Sequence, residues 1–370
     1  MNYNKYIKKN ICRDYNVEDS IYIFFTSGST GNPKGVIGKN ESLVHFLNWE
    51  ITEFSLKEGY RYTQLTSPSF DPFLREIFCP LLSGGTICLF ETVDKIKNIL
   101  FLPLFIEHYK INIIHCVPSV FRIFVSVLNL KKLKSDYLKY IFLAGEEPVL
   151  EDLRLWIKSE CNKNTKLINF YGPTETTLVK MYHKISEYDI KRGIIPIGKP
   201  IPEVNIYLYD IHGKEADFGE ICIDTKYCSL GYIKGEDNLN KFLKSPYDRA
   251  RTIYKTGDLG KRLDNGEILF CGRLDRQIKI SGISVNLDAI EKIIINHIKE
   301  IRVCCVVVHK CEKKLVCFYE ANDEIDKSVI MKCLYKFYHK AVLPKKYVKV
   351  DKIKLNYNGK VNREYYSKCK

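Results

Sequence analysis

Ile21-Tyr-Ile-Phe-Phe-Thr-Ser-Gly-Ser-Thr-Gly-Asn-Pro-Lys-Gly35 decides how the rest of the chain is read. Ile21 to Phe25 are β-branched or aromatic, which predicts a buried strand. The strand runs into a loop where Thr26, Ser27, Ser29 and Thr30 alternate with Gly28, Gly31 and Gly35. Glycines let several backbone N–H groups close on one anion, and the hydroxyls add donors. Lys34 supplies a positive charge, so the whole set suits a polyphosphate. Glycine and serine also mark ordinary surface turns, but an unbroken run closed by Pro33-Lys34-Gly35 asks for more. It is not a Walker loop, because Gly35 rather than Ser or Thr follows Lys34.

A chain of 370 residues has room for two domains and a substantial core. With 45% hydrophobic and 28% charged residues it reads as an ordinary globular protein. The longest apolar runs, such as Ile99–Ile106, are broken by Pro103 and too short to span a bilayer, so no membrane is expected. The lysine-bearing start, Met1–Asn10, lacks the apolar stretch of a secretion signal. The 14 cysteines contain no Cys-x-x-Cys pair, which argues against a zinc or redox motif and for reduced, cytoplasmic protein. The net charge of +14 would attract anions. Its lysines are spread along the chain as on solvated helix faces, and no nucleic-acid partner is expected.

Beyond the loop, Glu41–Phe54 has helical apolar spacing at Leu43, Phe46, Leu47 and Ile51. Strands are expected at Tyr62–Leu65, Thr86–Phe90, Ile111–Val117, Tyr140–Leu143 and Lys166–Phe170. Helices are expected between them at Phe73–Leu82, Lys95–Tyr109, Ser119–Leu130 and Leu150–Cys161. That alternation predicts an α/β fold with mainly parallel sheets flanked by helices, whose ligands collect at the carboxyl ends of the strands. From about Ile195 a β-rich subdomain follows, with a hairpin signal at Asn265-Gly266. Past Gly272-Arg-Leu-Asp275 comes a small α+β C-terminal domain, with a helix from Leu287, strands at Val303–Val308 and Leu315–Tyr319, and a helix at Lys327–His339. The expected division is 1–275 and 276–370.

Thr26–Gly35 resembles the phosphate-binding signature of the adenylate-forming (AMP-binding) superfamily, and the text around Asp71 resembles its amino-acid adenylation domains of nonribosomal peptide synthetases. Asn169-Phe-Tyr-Gly-Pro-Thr-Glu-Thr-Thr177 matches a second signature. An aromatic, hydroxyls and a carboxylate after a strand suit a nucleotide bound with Mg²⁺, since hard cations take oxygen ligands. The resemblance implies that Tyr171 stacks on adenine, Thr174 lies near phosphate and Glu175 coordinates Mg²⁺. It further implies ribose contacts from Asp258 and Arg273, and an adenine-pocket loop at Gly145 and Glu146. From Asn358-Gly-Lys-Val-Asn-Arg363 it implies that Lys360 reaches from the small domain to the substrate carboxylate and α-phosphate. A hinge at Asp275 would exchange Lys360 for the loop Lys279–Gly282 between the two half-reactions. Those are attack of a carboxylate on ATP with release of pyrophosphate, then transfer to a phosphopantetheine thiol on a separate carrier protein.

Phe70-Asp71 decides the subfamily. In domains that activate amino acids, an Asp here pairs with the substrate ammonium. The bland alternative is a cap for a helix starting at Pro72. Carrying over the pocket one position at a time places Pro72, Arg75, Cys116, Phe142, Ala144, Phe170, Leu178 and Val179 around Asp71. Arg75 would either meet an acidic side chain of the substrate or turn to a neighbouring carboxylate.

Some positions depart from the family pattern: Asn40, Ser281, Ser284, Asn286 and Asn362. The middle three bear on the thioester-forming state. Family members also carry a long stretch before the phosphate loop, where this sequence has only its first residues. Apolar surface should then be exposed, and three arrangements account for it: a second chain completing the N-terminal region, a fragment, or a remnant. Three functional readings follow, namely an amino-acid adenylating enzyme, an acyl- or aryl-CoA ligase, and a truncated non-catalytic binding protein.

Overall fold

The computed structural model describes residues 16, 19–27, 33–90, 99–131, 136–159, 164–233, 238–280, 283–309, 314–338, 343–355 and 360–369. β1 (Ser20–Ser27) pairs antiparallel with β2 (Pro33–Lys39), in a register that sets Thr26 opposite Lys34. The expectation of a buried strand here is half right. Phe24 is covered, whereas Ile21, Ile23 and Phe25 are 39%, 52% and 60% exposed. Among the described residues β1 pairs with β2 alone, in a two-stranded sheet, and only one face of β1 packs inward. An all-apolar run cannot announce that, because it reads as covered on both sides.

The alternation that follows is as expected. Helices α1 (Asn40–Glu53), α2 (Pro72–Ser83), α3 (Leu102–Tyr109), α4 (Pro118–Lys131) and α5 (Leu150–Ile157) are interleaved with strands. The strands are β3 (Arg61–Gln64), β4 (Thr86–Leu89), β5 (Ile113–Cys116), β6 (Tyr140–Ala144) and β7 (Lys166–Tyr171). They run parallel in the order β4-β3-β5-β6-β7, extended antiparallel by β8 (Met181–Lys184) and β9 (Lys199–Pro200). Neighbouring residues of each strand point to opposite faces. Phe142 and Phe170 join Phe46, Trp49 and Phe54 beneath α1, while Ile141 and Leu143 join Phe121, Leu153 and Trp156 beneath α4 and α5. α5 ends at Ile157, short of the expected Cys161, and of the expected Lys95–Tyr109 helix residues 95–98 lie outside the described residues.

A short helix α6 (Glu187–Arg192) leads into the β-rich sheet, order β10-β11-β13-β12 with β14 on β13. Its strands are β10 (Val204–Tyr209), β11 (Phe218–Thr225), β12 (Phe242–Lys244), β13 (Thr252–Arg262) and β14 (Ile268–Arg273), with α7 (Asn238–Lys241) before β12. After a 3-10 turn at Leu274–Arg276 come the hairpin β15 (Gln277–Ile280) and β16 (Ile283–Asn286), then α8 (Leu287–His297). The last sheet joins β17 (Val303–His309), β18 (Lys314–Glu320) and β19 (Lys346–Val350), flanked by α9 (Lys327–Tyr335) and α10 (Arg363–Lys368). The apolar clusters of this last part share no member with those of the preceding sheets. Among the described residues no helix is long and apolar enough to cross a membrane.

One buried carboxylate ties the C-terminal part together. Glu291 on α8 accepts from Arg276 Nη2 at 2.7 Å, from Arg363 Nη2 at 2.6 Å and from the Val306 N–H at 2.8 Å. It therefore joins the 3-10 turn to the residues that follow Lys360. Removing one partner from such a group leaves the others uncompensated. Glu291→Leu should cost about 3 kcal/mol of stability, read as a lowered urea midpoint; an unchanged midpoint would show that water replaces the carboxylate.

Candidate active site

The site is built where β5, β6 and β7 end, the position open parallel sheets reserve for ligands. β7 ends at Tyr171, and the chain folds back at Gly172 so tightly that a Cβ there would stand 2.0 Å from the Leu178 carbonyl oxygen. Only glycine fits. A 3-10 turn at Thr174–Thr176 presents Glu175, and Thr177 and Leu178 both take positive φ (64° and 59°). Non-glycine residues held in that region store strain, on the order of 1 kcal/mol each. Thr177 is fastened by the Tyr22 hydroxyl at its Oγ1 (3.2 Å) and by the Lys180 ammonium at its carbonyl (3.2 Å).

Tyr171, Asp258 and Arg273 meet. The Tyr171 hydroxyl donates to Asp258 Oδ2 at 2.6 Å, and Arg273 Nη1 donates to Asp258 Oδ1 at 2.8 Å. Arg273 also holds Asp275, through Nε at 3.0 Å, so the expected ribose contacts and hinge residue form one network. Gly257 precedes Asp258 at a φ of 78°, and a Cβ there would crowd Arg273 Nη2 at 3.2 Å. Burial raises the Asp258 carboxyl pKa, against the pull of Arg273 and Tyr171.

Glu175 is buried and accepts from the Tyr232 hydroxyl at 2.8 Å; the Lys34 ammonium lies 5.4 Å from the centre of the same ring. Among the described residues no group of three His, Cys, Asp or Glu could hold a metal. A lone carboxylate fits a hard cation whose remaining oxygens come from phosphates, as Mg²⁺ commonly takes them.

Asp71 occupies the position before α2 but does not cap it: its backbone is helical and its side chain makes no cap hydrogen bond. The capping alternative is thus overturned. Burial pushes the Asp71 carboxyl pKa up to about 6, against the pull of the Thr174 side chain and of Arg75. Arg75, one turn on, is 2% exposed and points inward, its guanidinium 5.3 Å from the centre of the Phe170 ring. Among the described residues it forms no ion pair within 4 Å, so the expected neighbouring carboxylate is not engaged, and its Nε lacks a hydrogen bond. Phe170 stacks on Phe142 (5.0 Å) and Phe142 on His115 (4.9 Å), which places both phenylalanines in the core as much as in a pocket wall. Leu178 is buried beside them, and Cys116 ends β5 with its thiol pKa raised by burial.

Other expected residues fall elsewhere or outside view. Gly145 has the positive φ of a tight turn after β6, but the Glu146 carboxylate is taken up by the Ser119 N–H (3.0 Å) at the start of α4. Thr26 lies at the end of the β1–β2 ladder. Gly28, Ser29, Thr30 and Gly31, with the Ser27 side chain, lie outside the described residues, as does part of the Lys279–Gly282 loop. Lys360 is exposed, next to Val361, which bridges Leu355, and Asn362, which caps α10 through the Tyr365 N–H (3.0 Å). The described contact between the last part and the Gly145–Glu147 loop is an ion pair of Lys292 on α8 with Glu147.

Comparison with known proteins decides the family. The family model for AMP-binding enzymes matches residues 7–233. The chain belongs to that family. This AMP-binding enzyme is 33% identical over 353 residues to bacitracin synthase 1 of Bacillus licheniformis, a match spanning 94% of this chain and 7% of that protein. A four-domain nonribosomal peptide synthetase, AB3403, solved bound to AMP and glycine, shares the fold at a TM-score of 0.76 and 24% identity, over 94% of this chain and 26% of that one. The o-succinylbenzoate CoA synthetase of Bacillus subtilis, solved with its acyl-adenylate intermediate, shares it at 0.80 and 18% identity, over 96% and 70%.

Sequence reasoning missed Tyr232 and Tyr22, which act on Glu175 and Thr177 across 57 and 155 residues that no motif spacing connects, and Lys180, which lies just past the motif and reads as an ordinary lysine although its ammonium donates to the Thr177 carbonyl. Lys180 is fully buried, which pushes its ammonium pKa down to about 7. Between that value and the unfolded lysine range the unfolded chain binds a proton the fold releases, so stability rises with pH. Urea midpoints should therefore climb between pH 7 and 9, by about 2 kcal/mol, and Lys180→Met should remove most of that slope. Equal slopes in both proteins would show that the ammonium is solvated.

Proposed function

We propose that the chain activates an amino acid with ATP. The substrate carboxylate oxygen bonds to the α-phosphorus, the bond to the bridging oxygen breaks, and pyrophosphate leaves with that electron pair, giving an aminoacyl-adenylate. Support for the amino-acid reading rests on one observation above all. Asp71 stands at the start of α2 with its side chain uncommitted to the cap and its carboxyl pKa raised by burial, and among the described residues no cation is bonded to it. A desolvated carboxylate gains from an ammonium partner.

The other groups have stated roles in this reading. Tyr171, Asp258 and Arg273 hold adenine and ribose, with the loop at Gly145 and Glu146 beside the base. The segment from Thr26 to Lys34 receives the phosphates. Glu175, with phosphate oxygens, would hold Mg²⁺, which supplies charge neutralisation for the leaving pyrophosphate. Lys360 stabilises charge that develops between carboxylate and phosphate, and positions two anions that repel. It belongs to a small domain after Asp275, whose swing brings it in. A phosphopantetheine thiol of a carrier protein would then take the aminoacyl group as a thioester, its sulfur bonding to the acyl carbon as AMP leaves. Cytoplasmic placement is supported by the described cysteines, all of them free.

The likeness to a CoA synthetase supports a second reading, activation of a carboxylic acid that carries no ammonium. Exchange of labelled pyrophosphate into ATP across a panel of amino acids and simple acids separates the two. Amino-acid-dependent exchange is expected; exchange with simple acids alone favours the CoA ligase, and silence with ATP still bound favours a non-catalytic protein. Asp71→Asn should raise the half-saturating amino acid by at least about 30-fold, as for one partner of a buried charge pair, with ATP binding unchanged. Because the carboxyl protonates near pH 6, half-saturation in the wild type should rise as pH falls through 6, and the variant should lose that dependence. Lys360→Ala should slow exchange by about 10²-fold or more at unchanged ATP affinity.

A further inference from the structure

We propose that Tyr232 is a positioning residue: its phenol sets the Glu175 carboxylate for a divalent cation and seats the Lys34 ammonium for the phosphates of the same nucleotide. The inference rests on the role given above to Glu175. Tyr232 is buried and lies 57 residues from Glu175 in sequence, yet its hydroxyl meets Glu175 Oε1 at 2.8 Å. The Tyr254 hydroxyl stands 3.3 Å from the Tyr232 hydroxyl. A phenol has one proton to give. With that proton on an acceptor-only carboxylate, Tyr254 is the donor in the second contact, and the direction of the chain is fixed. One carboxylate oxygen is thereby held in place, and the other is left to face a hard cation. Such outer partners orient a metal ligand and raise its basicity.

The ring is held as firmly as the hydroxyl. Phe242 packs edge-on against it at 5.6 Å, and the Tyr232 N–H donates to Asn238 Oδ1 at 2.8 Å. Its backbone is laced to β2. Tyr232 bridges Val36, the Ile37 N–H donates to the Gly231 carbonyl at 2.9 Å, and the Ile233 N–H to that of Gly35 at 2.9 Å. On the other side the Ser229 N–H donates to the Glu175 carbonyl at 2.9 Å. The short segment Ser229–Ile233 therefore joins the returning strand of the phosphate hairpin to the turn that carries Glu175. The Lys34 ammonium over the ring face adds a cation–π contact from the hairpin side. One aromatic residue thus touches a cation from one element and an anion from another, both aimed at a charged ligand.

A buried tyrosine that only packs would have the same ring contacts, so the test removes the hydroxyl alone. In Tyr232→Phe the Mg²⁺ concentration that half-saturates binding of N-methylanthraniloyl-ATP should rise about 10–100-fold. Binding of the same nucleotide without Mg²⁺ should stay close to wild type. Tyr232→Leu, which also removes the ring face, should weaken nucleotide binding without Mg²⁺ as well. Glu175→Gln is measured alongside. If it shifts the Mg²⁺ dependence and Tyr232→Phe does not, the positioning role is overturned while the role of Glu175 stands. If neither variant shifts it, the reading of Glu175 falls and the inference with it.

Discussion

The 2.6 Å hydrogen bond from the Tyr171 hydroxyl to Asp258 is the joint on which the site depends. It links the last parallel strand of the central sheet to β13 of the β-rich sheet, across 87 residues of sequence. A bond from a phenol to a carboxylate is charge-assisted and short, so the two sheets meet at a defined distance. Arg273, directly opposite Asp258 in the β13–β14 register, continues the joint to Asp275. A turn at the edge of the C-terminal part is therefore in electrostatic contact with the end of β7. Any ligand that engages Asp258 changes the partners of Arg273, and through it those of Asp275.

How much of this was legible in the sequence follows from how local each feature is. The strand–helix alternation from Arg61 to Tyr171 repeats within short windows, and its elements appear where periodicity put them. Asp258 and Arg273 lie in neighbouring hairpin strands turned at Asn265-Gly266, so the hairpin was legible in a short-range signal while the two residues were singled out by the family resemblance. Contacts between Glu175 and Tyr232, or Thr177 and Tyr22, span 57 and 155 residues and leave no trace in spacing. The outward face of β1 was hidden for another reason. Ile21 and Ile23 are as apolar as Phe24, and only the tertiary neighbours determine which of them is covered. Glu146 shows the converse, a carboxylate in a promising loop that the start of α4 takes up.

The carboxylates around the site share one property. Burial raises the pKa of Asp71 to about 6, of Glu76 to about 7, and of Asp258 above its ordinary value. Glu76 is spoken for, since the Thr66 N–H (2.9 Å), the Thr66 hydroxyl (2.9 Å) and the Leu65 N–H (3.1 Å) all donate to it, fixing the loop that leads to Asp71. Asp258 has Arg273. Asp71 has the pull of the Thr174 side chain and the field of Arg75, which Glu76 shares. Of the three it is the one whose charge is least answered from within the fold. A ligand that brings positive charge to Asp71 relieves its desolvation, and one that brings only negative charge adds to an existing excess. That asymmetry follows from the placement of fixed groups and holds as long as α2 and β7 stay where they are.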